Sequence, residues 1–319
     1  MKAVVTGGAG FIGSHITEYL VTNGSEVIVI DNLSSGSLKN INHLIENRRV
    51  KILIKDLKVF DNEVRNAFSE VDTVYHFAAN PEVRISITEP RIHFEENVLV
   101  TFNVLEFCRL SDVKEIVFAS SSTVYGDAQV FPTPEDHPTK PVSIYGVSKL
   151  VCENLISSYS DIYGIKALTL RLANIVGPRQ THGVVVDFIN KLRKNPRELE
   201  ILGDGTQKKS YLHVRDLIEG MQVALEHLRR SSVKYEVYNV GNIDWISVKE
   251  IADLVAEEMS LSNVKYFYKP ATSDGRGWVG DVKFMLLDVK KLMSLGWQPK
   301  LSSKEALRDA IRWLIKTGF

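Results

Sequence analysis

Near its start the chain carries an unbroken apolar run, Ala3-Val4-Val5, β-branched at two positions, which is the pattern of a strand buried on both faces of a parallel sheet. Gly7, Gly10 and Gly13 interrupt it, and Phe11, Ile12, Ile16, Tyr19 and Leu20 then recur at helical spacing. A second apolar run, Glu26 to Ile30, ends in Asp31. The turn-rich stretch NLSSGS leads into a polar helix around Leu38 to Asn47, and a third strand is predicted from Val50 to Ile54. A helix from Asp61 to Phe68, a strand from Thr73 to Phe77, a long helical pattern from Ile92 through Asn97 to Cys108 and a strand from Glu115 to Ala119 follow. A polar, proline-rich segment, Phe131 to Pro141, reads equally as a lid or an exposed loop, and a sixth strand spans Ile165 to Arg171. This alternation predicts an α/β fold, a doubly wound parallel sheet of the Rossmann type that binds ligands beyond the carboxyl ends of its strands.

After Arg171 the alternation weakens, and Asn174, Gly177 and Pro178 mark a change of unit. A helix from Val184 to Leu192, a short strand from Leu199 to Leu202 and a helix from Arg215 to Leu228 come next. Tyr235 to Val240 is a seventh strand expected to rejoin the main sheet. Ser247 and Glu250 form a capping box before an amphipathic helix to Met259, Arg276 to Asp281 is a loop, and Lys304 to Lys316 a closing helix. The predicted organisation is a cofactor domain of residues 1–172 with about 212–242, and a smaller, discontinuous substrate domain of 173–211 and 243–319.

Composition narrows the field. Lys plus Arg equals Asp plus Glu at 39 each over 319 residues, so no nucleic-acid surface is expected and any anion site is local. No apolar run approaches a membrane span and no charged-then-apolar leader opens the chain, so a cytoplasmic protein with no membrane partner is expected. Cys108 and Cys152 fall in helical patterns and read as small buried hydrophobes, and the eight histidines show no metal-ligand spacing, so no metal is proposed.

The chemistry begins at the glycines. At this spacing they permit a sharp turn, the approach of a pyrophosphate to bare backbone and close packing of helix on strand, while the helix N-terminus offers N–H groups to the phosphates. Asp31, 18 residues beyond Gly13, is placed to accept from both ribose hydroxyls and would repel a 2′-phosphate, which predicts NAD rather than NADP. Asp56, just past the third strand, either caps the next helix or holds the adenine amino group. Ala78 and Ala79 are small where the backbone nears a cofactor. The fifth strand runs into Ser120-Ser121-Ser122-Thr123, and Tyr145 precedes Lys149 by four. If Tyr145 opens a helix, an ammonium lies one turn from a phenol and draws it toward the working range of a general base.

TGGAGFIGSH, DNLSSG, HFAA at His76 to Ala79, SSSTVYG, YGVSK and RLANIVGPR at Arg171 to Arg179 stand in the order and approximate spacing of the extended short-chain dehydrogenase/reductases. Over nearly its full length the chain resembles the NAD-dependent nucleotide-sugar epimerases among them. The resemblance implies Tyr145 as base, Lys149 on the nicotinamide ribose and lowering the Tyr145 pKa, Ser121 on the sugar 4-hydroxyl and Asn97 on the cofactor side. Gly7, Gly10, Phe11, Ile12, Asn32, Ser35, Gly36, Leu57, Phe77 and Ser120 complete the expected NAD site. For the UDP-sugar it implies Ser122, Asn174, Lys209 and Arg276. Arg276 is the better diphosphate ligand because of its planar fork, and Lys209 stands where these epimerases usually carry Arg.

Departures matter too. Sugar dehydratases usually carry Asp-Glu after the catalytic Ser or Thr, and the related decarboxylases a glutamate; here Ser122 and Thr123 do not titrate near neutrality. At Asn80-Pro81 the bacterial galactose epimerases often have a lysine, for which Arg84 is a candidate substitute. By the same resemblance Met285 falls roughly at the position that limits pocket size in that family, and a flexible side chain there sets no firm bound. N-acetylhexosamines and uronic acids therefore stay open as substrates, as does an NAD-binding regulator without turnover. Extra apolar residues on the helices around Asn97 to Cys108 and Ser148 to Tyr159 imply, by the same resemblance, a homodimer.

Overall fold

The computed structural model describes residues 1–46 and 48–318. Its frame is a seven-stranded, wholly parallel sheet built from β1 (Lys2–Thr6), β2 (Glu26–Asp31), β3 (Val50–Ile54), β4 (Thr73–His76), β5 (Glu115–Ser121), β6 (Lys166–Leu172) and the strand Tyr235–Val240. Their order across the sheet is Tyr235–Val240, β6, β5, β4, β1, β2, β3, so the direction of winding reverses between β1 and β4. A crevice opens at such a reversal because the flanking loops leave in opposite directions. Both faces are covered, as the unbroken apolar strands require. Val5, Val29 and Leu170 pack against Ile16, Leu20, Leu217 and Met221, whereas Val4, Ile28 and Ile116 pack against Val104, Phe107 and Ile156.

Beyond the sheet, the helices Val184–Lys194, Val248–Glu258 and Ser303–Thr317 enclose a core of their own around Val185, Phe188, Ile251, Val255, Leu307 and Ile311. Short pairings, Asn174–Val176 with Tyr211–His213 and Glu198–Leu202 with Lys265–Lys269, stiffen it. The Val248–Glu258 helix carries the expected box, with Ser247 and Glu250 satisfying each other's backbone N–H.

Two expectations change. In place of one polar helix around Leu38 to Asn47 there are two single 3₁₀ turns, Leu38–Asn40 and Asn42–Leu44; Asn47 itself lies outside the described residues. The cause is tethering: Ser37 N–H and the Asn40 side chain both donate to the Ala9 carbonyl, which ties the segment to the glycine turn. The long helix between β4 and β5 is not regular either. It widens into a π-helical stretch, Phe94–Leu99, before Val100–Leu110, and the buried Asn97 sits inside the widened part.

The Phe131 to Pro141 segment is an irregular, partly exposed loop pinned at Thr133. Thr133 is buried, its N–H donates to Leu286 O at 2.8 Å, and its carbonyl accepts from Asp288 N–H at 2.8 Å. Cys108 and Cys152 are free and buried.

Candidate functional site

A cavity of about 480 Å³ runs along the carboxyl ends of the strands, from the glycine turn on one side to the second core on the other. On the cofactor side Gly7 has φ +67°, and a Cβ there would stand 2.7 Å from Ala78 N. A Cβ on Gly13 would meet Gly7 O at 2.1 Å, so helix Phe11–Thr22 packs on β1 at a distance only glycine allows. That helix has no side-chain cap at Gly10 and no acidic residue in its first turn, leaving its N–H groups to an incoming anion. Asp31 is buried at the end of β2, where Oδ2 accepts from Ala9 N–H at 2.9 Å and Oδ1 from Leu33 N–H at 2.8 Å. Two backbone donors fix the carboxylate at the cavity wall with lone pairs to spare, which fits a ribose diol. The cradle therefore fits a dinucleotide.

Gly7, Gly10, Phe11, Ile12, Asp31, Asn32, Ser35, Asp56, Leu57, Phe77, Ala78, Ala79 and Ser120 all line the cavity. Asp56 does not cap the following helix. Asp61 does, accepting from Glu63 and Val64 N–H, whereas Asp56 turns back on Lys58 N–H. Gly36 and Asn97 do not line the wall. Gly36 lies behind Asp31, where a Cβ would be 2.9 Å from either carboxylate oxygen. Asn97 instead accepts from Asn80 N–H at 2.8 Å and donates to Ser148 Oγ at 2.9 Å, and Ser148 donates to Tyr145 O. It braces the helix Ile144–Tyr163 from behind.

In the middle of the cavity wall are Ser121, Tyr145 and Lys149. Ser143 caps helix Ile144–Tyr163 through Gly146 N–H, so Tyr145 stands in the first turn and Lys149 one turn on along the same face. The Ser121 hydroxyl accepts from Thr123 N–H and Thr123 Oγ1. Burial pushes the Tyr145 phenol up to about 12, against an opposing pull from Ser121. Burial presses Lys149 down to about 8, against the pull of Cys152 and Glu153. The expected lowering of the phenol by the ammonium is absent here. Lys149 Nζ donates to Ala119 O at 2.8 Å and lies 4.9 Å from the Phe118 ring centre but 5.9 Å from that of Tyr145.

The far wall includes Ser122, Asn174, Lys209 and Met285. Asn174 donates to Ser210 O at 3.1 Å, and Lys209 pairs with the buried Asp281 at 2.8 Å. Arg276, the favoured diphosphate ligand by sequence, is not part of this wall. Its guanidinium is taken up by Asp127 at 2.8 Å, Asp274 at 2.7 Å and the Asp281 carbonyl at 2.6 Å. Of the two cations Lys209 is the one that lines the cavity, and each already has a carboxylate partner. Sequence reasoning also missed Trp278, a wall residue whose ring lies under both Lys209 and Arg84, at 5.5 and 5.9 Å. Glu82, His182 and Asp187 at the same wall were missed as well, since nothing local in their spacing marks them.

Glu153 was missed although its position announced it. It follows Tyr145 and Lys149 at eight and four residues, on the buried face of a helix, and it is only 4% exposed. It pairs with Arg171 (Nη2 to Oε2 2.8 Å, Nε to Oε1 3.1 Å) and accepts from the Ser120 hydroxyl.

A family model described as GDP-mannose 4,6 dehydratase matches residues 4–310. A putative UDP-glucose 4-epimerase of Methanocaldococcus jannaschii is 38% identical over 316 residues, 98% of this chain and 97% of that protein. A crystal structure of a UDP-galactose 4-epimerase superposes with a TM-score of 0.88 at 46% identity, covering 100% of both chains. The UDP-glucose 4-epimerase of Thermus thermophilus, solved with NAD, gives 0.85 at 34% identity over 99% of each.

Proposed function

This chain belongs to the GDP-mannose 4,6 dehydratase family of extended short-chain dehydrogenase/reductases, and from that premise we propose that it is an NAD-dependent UDP-sugar 4-epimerase interconverting UDP-glucose and UDP-galactose. The observation that carries this reading is the joint placement of Ser121, Tyr145 and Lys149 on one cavity wall, between a dinucleotide cradle and a second wall bearing Lys209. Bound NAD+ supplies a hydride acceptor that also returns the hydride, so no net oxidation results. The protein supplies placement and proton transfer. As phenolate, Tyr145 would take the 4-hydroxyl proton and later give it back, Ser121 would hydrogen-bond the same oxygen, and the Lys149 ammonium would hold the cofactor ribose; burial keeps the phenol protonated in the cofactor-free fold, so the phenolate forms only once cofactor and sugar fill the cavity.

Dehydration is disfavoured by the residues themselves. Ser122 and Thr123, in the turn after β5, offer no acid and base for a second elimination step, although the matching family model carries a dehydratase's description. Asp31, fixed by two backbone N–H groups, selects NAD over NADP. We assign residues 1–172 with about 212–242 to the cofactor and 173–211 with 243–319 to the nucleotide sugar. We also infer a cytoplasmic homodimer. Phe94, Phe102, Val147 and Val151 are exposed on the two helices of the expected interface, and no helix among the described residues is long and apolar enough to cross a membrane.

The test is conversion of UDP-galactose to UDP-glucose by purified protein supplied with NAD, followed by proton NMR. Inversion at C4 is expected, and bound NAD with no turnover of any nucleotide sugar would turn the reading toward a regulator.

A further inference from the structure

Behind the site, Glu153 and Arg171 form a buried ion pair, with the two side chains 4% and 9% exposed. Removing two charges from water is costly, and a buried pair of this kind adds little stability over apolar residues of the same size. What it does provide is fixed geometry. Arg171 also donates to Tyr125 OH at 2.9 Å and to Glu135 O at 2.8 Å, so its fork cannot swing away from Glu153. With the guanidinium pinned, Glu153 has one orientation. In it one oxygen takes the Ser120 hydroxyl at the end of β5, and the helix turn carrying Lys149 stands directly before it.

We propose that Glu153 is a positioning residue for this site: held by Arg171, it fixes the strand end that presents Ser121, and it supplies the negative charge that the Lys149 ammonium faces. The inference rests on the epimerase reading above.

The titratable groups around Lys149 leave Glu153 that role. On its own helix these are Tyr145, Cys152 and Glu153; His76 comes from β4 and His93 from the helix across. Burial keeps the Tyr145 phenol and the Cys152 thiol protonated, holds His76 neutral at about 3 and lowers His93. From within this set the negative charge one helical turn from Lys149 is therefore that of Glu153, which it shares with the Arg171 guanidinium paired to it.

The test is Glu153→Gln, which preserves shape and removes charge. At pH 7 kcat should fall by about tenfold with KM for UDP-galactose within roughly twofold, and the alkaline limb of kcat should move to lower pH by about one unit. The Lys149 ammonium, followed by heteronuclear NMR in cofactor-free protein, should titrate at correspondingly lower pH. Glu153→Asp keeps the charge and should restore the limb. Ser120→Ala breaks only the strand-end contact and should lower kcat without moving the limb. An unmoved limb and an unmoved NMR titration in folded Glu153→Gln would overturn the proposal, and so would a Glu153→Asp limb displaced as far as that of Gln. If the wild-type protein inverts no nucleotide sugar the functional reading fails, yet the NMR titration still decides the role of Glu153.

Discussion

The two walls of the cavity are built on different principles. The cofactor wall is backbone: Gly7 and Gly13 sit where a Cβ would collide with Ala78 N or Gly7 O, and Asp31 is locked by two N–H groups. The opposite wall is side chain: Lys209 is oriented by Asp281, Asn174 by Ser210, and Trp278 lies beneath two cations, Lys209 from a short strand and Arg84 from a 3₁₀ turn. A backbone cradle is fixed by a few residues close in sequence and tolerates no change. A side-chain wall draws on residues far apart and can be retuned one contact at a time, which is the property needed where related enzymes differ in substrate.

Tyr145 stands where the walls meet, and its loss should be the largest effect. Tyr145→Phe is expected to lower kcat by about a thousandfold, the scale of a lost general base, while bound NAD measured after denaturation is unchanged. Retained turnover would remove the phenol from the chemistry. Next in size, Gly13→Ala probes the cradle. Its Cβ would meet Gly7 O at 2.1 Å, so a loss of about 1–3 kcal/mol in urea unfolding is expected, together with weaker NAD binding. A Gly13→Ala variant with normal stability and cofactor content would show that the backbone wall is softer than described.

On the other wall, Lys209→Ala should raise KM for the UDP-sugar by about tenfold with kcat little changed, since a charge-assisted contact made equally to substrate and transition state is lost. Arg276→Ala should do less, within about threefold, because its guanidinium is engaged by Asp127 and Asp274. Steady-state kinetics on the two variants ranks the cations, and a larger effect at Arg276 would restore the order suggested by side-chain shape alone.

The same division explains what the sequence made legible. The glycine spacing, Asp31 after a buried strand and the four-residue step from Tyr145 to Lys149 are local patterns whose geometry follows from one strand, one turn or one helix. Lys209 and Arg276 are separated by four strands, two helices and several loops, so their ranking depended on which carboxylates reached them first. Neither Asp127 nor Asp281 could be assigned to either cation from spacing. Asn97, expected on the cofactor side, instead lies behind the Ile144–Tyr163 helix, a position that depends on a π-helical stretch that apolar periodicity does not register. The Leu38 segment failed as a helix because its partner, the Ala9 carbonyl, lies about thirty residues away.

The pH dependence sharpens the contrast least but tests the shared ground between the walls. In the cofactor-free fold burial lowers Lys149 from 10.5 to about 8. Between those values the unfolded chain binds more protons at this group than the folded one, so its contribution to stability rises with pH there, and the burden of a buried charge is fully present below about 8. Activity should run the opposite way, because the charged form is the one proposed to hold the cofactor ribose beside Tyr145: kcat declines as the ammonium is lost. Lys149→Met separates the two. In cofactor-free protein the stability gap between this variant and wild type should shift in favour of wild type as pH rises from 7 toward 10, while the kcat of the holoenzyme falls over its alkaline limb. A gap constant across that range would mean that Lys149 is as well solvated in the fold as in the unfolded chain, and the enclosed centre of the site would have to be redrawn.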